Sequence, residues 1–317
     1  GAIDGRLAEL PQTLEAVRQR GYVHGGHLED RLAALDDQWE DTRPRLEAAL
    51  QDHTRRLDSD LNRTNLLVTR LSAATPATVA AARTAVAGLS RQVNAATSSL
   101  TGLYGGVESE LGEVAGAISG VQVMLDTLEQ SQTIQLVETE GLLAAVNAEW
   151  QRDGEDGPEG ILFLTDQRLL FEQREEVVTK KFLGLFKSDS EVQQQLLLDV
   201  AAGQIETVES SEEGGFLGMG KADILELVLG PEAPVSRARF HLKGQESAEW
   251  ATLIKRVKSG EIDEDRADRY VEEVEAAEAA LSTFPTTCPN CFSPLPPPPR
   301  GVTSVTCEFC GSVINSS

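Results

Sequence analysis

The chain has 317 residues, enough for two or three domains, and carries 51 Asp and Glu against 28 Lys and Arg, a formal charge of −23. No region is basic, so the salt-dependent phosphate attraction behind most nucleic-acid binding is missing. No apolar run approaches the roughly 18–20 residues of a membrane span, and aromatics at 5% are few for one large core.

Residues 25–130 read as long helices. In a first arm Leu28, Leu32, Leu35, Trp39, Leu46, Leu50, Leu57, Leu61, Val68 and Leu71 recur at three- and four-residue steps, and Pro44 is expected to kink or restart it. "ATPAT" marks a break, with Thr75 placed to cap and Pro76 suited to a first helical position. In a second arm Val79, Ala82, Val86, Leu89, Val93, Ala96, Leu100, Leu103 and Val107 keep the step. The phase slips at Gly105-Gly106 and resumes from Leu111 to Leu128. A sustained 3.5-residue repeat with a short break predicts an antiparallel coiled-coil hairpin over residues 1–135, with arms of roughly 70–80 Å. Its alanines predict close helix approach. No Asp or Glu occurs between Asp60 and Glu108, which makes the tip mildly cationic. The histidines of "HGGH", His24 and His27, read as loop residues, since two imidazoles beside flexible glycines make a poor metal site. His53 falls at a core-type position and reads as packed or at an edge.

From about Leu142 the period changes. "GILFLTDQRLLFEQ" (160–173) has two apolar runs around a tight Thr165-Asp166-Gln167 turn, the pattern of a buried hairpin. Strands are predicted at 194–200, 204–210, 222–229 and 236–242, followed by a helix whose Trp250, Leu253, Ile254 and Val257 make one apolar stripe. That order predicts a small β-barrel plugged by the helix. The G-I-L-F-L-T-D-x-R-L-L-F hairpin, the strand count and the closing Trp250 helix resemble a pleckstrin-homology-like (PH-like) domain, nearest its GRAM and bacterial branches, over residues 136–260. The resemblance implies a binding module for lipid or protein rather than an enzyme. Phosphoinositide binders of that family put basic residues around the first strand-to-strand loop. Here that loop, "RDGEDGPEG" (152–160), sets Arg152 against Asp153, Glu155, Asp156 and Glu159, so a phosphate meets net repulsion.

Two loops share an F-L-G-x-x-K skeleton, "FLGLFK" (182–187) and "FLGMGK" (216–221). Phe182, Leu185, Phe186, Phe216 and Leu217, rimmed by Lys180, Lys181, Lys187 and Lys221, are candidates for contact with a partner or a membrane surface. The alternative is that they fold inward over a barrel mouth.

Residues 261–283 are acidic and helix-prone and read as a solvated linker. All four cysteines lie in the last segment, 284–317, as Cys288-Pro-Asn-Cys291 and Cys307-Glu-Phe-Cys310 with fifteen residues between the pairs. Two C-x-x-C corners brought together by a hairpin offer four thiolates to one tetrahedral Zn²⁺, with no position left for water. Two disulfides or a redox C-x-x-C are the alternatives. The segment resembles a zinc ribbon, which implies Cys288, Cys291, Cys307 and Cys310 as ligands of one structural zinc. So short a segment needs the metal to fold, and retained thiolates point to a reducing, cytoplasmic compartment. "SPLPPPPR" between the knuckles favours polyproline II.

No catalytic set stands out: four histidines, no cysteine beyond the proposed ligands and no phosphate-binding glycine loop with Lys-Ser/Thr. The sequence therefore reads as a multidomain α+β, non-catalytic adaptor. The coiled coil serves assembly or self-association, the PH-like module recognises a protein, and the zinc ribbon makes protein contacts. The alternative is a peripheral membrane protein that meets lipid through the apolar, Lys-rimmed loops.

Overall fold

A computed structural model describes residues 1–69, 75–137, 140–152, 157–178, 190–214, 221–268, 270–271, 285, 287–295 and 304–315, with the side chains of 175–178 and 190–192 outside that description. It is mixed helix and sheet. The chain divides into two compact units, one made of residues 1–15 and 28–119, the other of 16–27 and 120–317.

Three helices supply the first unit: α1 (Ala2–Gln19), α2 (His27–Thr69) and α3 (Pro76–Glu129). Ile3, Leu7, Leu10 and Leu14 of α1 fall at three- and four-residue steps, a helical period not singled out in the sequence. They are buried, as are Leu28, Leu32, Leu35 and Trp39 of α2 and Val107, Leu111, Val114 and Ile118 of α3. The Trp39 indole N–H donates to Asp4 at 2.9 Å and joins α2 to α1, and Arg31 pairs with Glu113 at 3.1 Å and joins α2 to α3. The α3 start is as expected: Thr78 N–H donates to Thr75 Oγ1 at 3.3 Å ahead of Pro76. Pro44 does not restart the helix, because α2 runs through it.

Farther along the arm only two helices remain, and between residues 43 and 106 the buried described residues shrink to Thr64, Ala82 and Ala96. Leu50, Leu61, Val68, Val86 and Val93, expected in the seam, are 42–53% exposed. The heptad rule tells which residues share a face; it does not supply enough partners to cover that face.

The second unit holds seven strands: β1 (Leu142–Trp150), β2 (Glu159–Thr165), β3 (Arg168–Val178), β4 (Ser190–Ala201), β5 (Ile205–Glu213), β6 (Ala222–Leu229) and β7 (Arg237–Lys243). All pairs are antiparallel, in the order β4-β3-β2-β1-β7-β6-β5. Helix α4 (Ser247–Ser259) lies against β5 and β6 and sends Trp250, Ile254 and Val257 into the sheet's core. At its centre Trp150, Phe171 and Phe240 stand with ring centroids 5.2–5.7 Å apart. Offset and edge contacts of this kind add to what burial of the rings already contributes. Strand β2 is buried on both faces from Gly160 to Thr165, which is why its sequence is a continuous apolar run rather than an alternation.

The T-D-Q-R turn between β2 and β3 holds itself and its surroundings. Thr165 Oγ1 accepts from Arg168 N–H at 2.8 Å and Gln167 N–H at 3.1 Å. Arg168 grips the buried Glu140 with two bonds of 2.7 and 2.9 Å, which raise its pKa. Asp166 Oδ1 accepts from Gly141 N–H at 3.0 Å. Its Oδ2 lies 2.6 Å from Arg266 NH2 and 3.2 Å from His24 Nε2, and all three side chains are at most 2% exposed. His24 Nδ1 has no partner among the described residues, so the geometry places the ring proton on Nε2, where it donates to Asp166.

Around this carboxylate, segment 16–27 is tied to the residues after α4. His24 and Arg266 form a β-bridge, Gly26 N–H donates to Asp265 O at 3.0 Å, and Ala267 N–H to Val23 O at 2.9 Å. The approach is so close that a Cβ on Gly26 would sit 2.6 Å from Arg266 O. Arg18 donates to the carbonyls of Tyr22 and Gly25 at 2.9 and 3.0 Å and to that of His24. His24 is thus a buried anchor as well as a loop residue. Within the segment read as a solvated linker, Ile262 and Arg266 are buried.

Candidate metal centre

The C-terminal segment pairs two short strands, β8 (Ser304–Thr306) and β9 (Val313–Asn315). Its two Cys-x-x-Cys turns are near copies. Phe292 N–H donates to Cys288 O at 2.9 Å and Cys288 N–H to Ser293 O at 2.8 Å. Gly311 N–H donates to Cys307 O at 2.8 Å and Cys307 N–H to Ser312 O at 2.9 Å. Each turn needs a left-handed residue after its second cysteine: Gly311 at φ 71° and, in the equivalent place, Phe292 at φ 60°. Asn290 Nδ2 donates to Ser312 Oγ at 2.7 Å and ties one turn to the other.

The turns bring all four sulfurs together, as the spacing predicted. Cys288 Sγ lies 3.6 Å from Cys310 Sγ, and Cys291 Sγ lies 3.5 Å from Cys307 Sγ. All four sulfurs fall within 4.8 Å of one another. A disulfide would need about 2.05 Å. Four sulfurs at 2.3 Å from a tetrahedral ion stand about 3.8 Å apart, so the set fits one metal ion. Cys288 and Cys307 are buried, Cys291 is half-buried and Cys310 is exposed.

The serines two places after each second cysteine tune the thiols. Hydrogen bonds from the side chain and backbone of Ser293 hold Cys291 down to about 6, and Ser312 lowers Cys310 in the same way. Burial pushes Cys307 up to about 11. Both serines were visible in the sequence at matching positions but were not singled out there.

Of the proposed contact residues, Lys180, Lys181, Phe182, Leu185, Phe186, Lys187, Phe216 and Leu217 lie outside the described residues. Lys221 is described; it is exposed and ion-paired with Glu212, which raises its pKa.

A cleft of about 670 Å³ opens beside the end of β1 and the outer faces of β5–β7. The Arg152 guanidinium lies over the Trp150 ring, 3.8 Å from its centroid. Arg239 donates to Gln151 at 2.7 Å and to Glu213 at 2.6 Å and is also paired with Glu226. Glu209 and Arg237 line the cleft too, so its charge is mixed. Among the described residues no helix is long and apolar enough to cross a membrane.

No family model matches this chain, and no curated protein does. Solved structures similar to it include the DH/PH domains of p115-RhoGEF in an R399E mutant, at 14% identity over 68% of each chain with a TM-score of 0.25. A truncated linker-DH/PH fragment of p115-RhoGEF aligns at 15% identity over 82% of each chain, TM-score 0.26. The DH/PH fragment of PDZRHOGEF, solved in complex with human RhoA, aligns at 11% over 78% of this chain and 64% of that one, TM-score 0.24. At such scores the likeness settles neither the fold nor the function of this chain.

Proposed function

We propose that this chain is a non-catalytic adaptor whose seven-stranded module is PH-like and recognises a protein, with long helices for assembly and a C-terminal zinc ribbon for protein contacts. The strand order and the closing α4 support the PH-like reading. Cys288, Cys291, Cys307 and Cys310 would hold one Zn²⁺. Four thiolates fill its tetrahedron, so it serves folding and offers no position for substrate or water.

The choice of protein over lipid rests on the cleft beside Trp150. A headgroup pocket needs uncommitted cations converging on a phosphate. Here Arg239 is already held by two glutamates, Arg152 lies on an indole, and Glu209 shares the lining. Mixed charge around the half-buried Val228 and Val235 suits a peptide with polar and apolar side chains. Vesicle co-sedimentation tests this reading. The full chain should stay in the supernatant with vesicles of phosphatidylcholine and phosphatidylserine, with or without a phosphoinositide. Salt-sensitive pelleting that Arg152→Glu abolishes would show a headgroup site instead.

A further inference from the structure

The strand register fixes the order of the charges in the cleft beside Trp150. Glu209, Glu226 and Arg239 form one row across β5, β6 and β7, each directly opposite the next. Thr207, Val228 and Arg237 form the row two residues along, and both rows line the cleft. In the first row Arg239 holds Glu226 and reaches Glu213 at 2.6 Å. Glu209 is left facing Glu226, carboxylate beside carboxylate, an arrangement that destabilises an antiparallel pair. It is exposed and has no cationic partner among the described residues. In the second row Arg237 is exposed and has no carboxylate partner among the described residues, and Val228 beside it is half-buried.

The cleft is therefore dipolar. Its unmet carboxylate lies on β5 and its unmet cation on β7, where the Arg152 guanidinium over Trp150 adds positive charge at the same end. One open arginine does not make a phosphate pocket, but it suffices for a carboxylate. Strands stand about 4.8 Å apart, so Glu209 and Arg237, two strands and two residues removed, are about 12 Å apart along the sheet. An extended chain rises about 3.3 Å per residue and turns alternate side chains to one face, so its positions i and i+4 span about 13 Å with i+2 midway.

We propose that the cleft takes an extended segment of a partner protein that carries a basic, an apolar and an acidic residue at alternate positions. The basic residue meets Glu209, the apolar one Val228 and the acidic one Arg237. Either chain direction satisfies this order. The proposal rests on the reading of the cleft as a peptide site and deepens it by naming the charge pattern of the partner.

The test selects random peptides displayed on phage against the full chain. Enriched sequences should carry Lys or Arg and Asp or Glu about four positions apart, with an apolar residue midway. In fluorescence anisotropy, synthetic peptides of the consensus should lose about fivefold or more in affinity when either charge is reversed, and the loss should shrink as salt rises. Glu209→Lys should turn the selected basic position acidic, and Arg237→Glu should turn the selected acidic position basic. Both side chains are exposed, so the thermal melt should hold in each variant.

No enrichment, enrichment without this charge order, or a consensus that neither substitution shifts would overturn the proposal. Its failure is distinguishable from that of the peptide reading. Salt-sensitive vesicle pelleting that Arg152→Glu abolishes removes the peptide reading. A consensus of different charge order, whose binding Arg152→Glu still abolishes, keeps the peptide site and removes only the pattern proposed for its occupant.

Discussion

Replacing Asp166 by Asn tests whether the buried carboxylate holds segment 16–27 and the residues after α4 to the β2–β3 turn. Asn can still accept from Gly141 N–H, but its amide nitrogen would face Arg266 NH2 and His24 Nε2, donor against donors. Arg266 and His24 are at most 2% exposed, so neither can turn to water without opening the fold. Arg266 keeps its pair with the part-exposed Asp263 at 3.2 Å, so its charge stays partly compensated and the loss should fall at the lower end of the roughly 3–5 kcal/mol that breaking a buried pair costs. With a urea slope of about 2 kcal/mol per molar, the midpoint should fall by about 1.5 M. Trp150 and Trp250, both in this unit and 2% exposed, report the transition by fluorescence once Trp39 of the helical unit is replaced by Phe. The decisive comparison is Asp166→Asn with Arg266→Met. No charge is then orphaned, and well over half of the loss should return. A loss under about 1 kcal/mol in the single variant, or additive losses in the double, would refute the reasoning.

Two further predictions concern the cysteine turns. Phe292 sits at φ 60° and is 81% exposed, so its ring contributes little packing while its backbone pays for the left-handed region. Phe292→Gly should match Gly311 and stabilise the zinc-loaded ribbon by about 1 kcal/mol, read as slower metal loss to a chelator; faster loss would contradict it. Acidification should release the ion, because thiolates must be protonated as it leaves. Hydrogen bonds from Ser293 lower the Cys291 thiol and so favour the thiolate that the ion needs. Ser293→Ala raises that thiol and should move release to higher pH in a chromophoric chelator titration; an unchanged or lower release pH would contradict the role given to Ser293.

What was legible in the sequence was local. Cys-x-x-Cys spacing fixes two turns within a few residues each, and the sulfurs converge as expected. Trp250, Ile254 and Val257 lie on one helical face, and they enter the core together. The apolar β2–β3 run is buried on both faces. What escaped was long-range. Asp166 meets His24 across 142 residues and Arg266 across 100, and nothing in the spacing of a histidine between glycines announces a buried carboxylate. Pattern also ranks faces without saying how much is covered. Leu28 and Leu61 occupy the same kind of position in α2, yet one is 3% and the other 53% exposed, because α1 adds buried leucines only near the proximal end. The cleft beside Trp150 escaped because β1, β5, β6 and β7 supply its lining from separate stretches of chain.

The adaptor reading meets its most direct test in amine-reactive cross-linking of the full chain in its native extract, read by mass spectrometry. All seven lysines lie between Lys180 and Lys258, so apart from the terminal amine such a reagent reports contact with the β-module alone. The account predicts links from these lysines to one recurring protein partner, kept when lipid is stripped from the extract and reduced by Arg152→Glu at the cleft. An absence of partner links, together with pelleting of the chain on anionic vesicles, would contradict it.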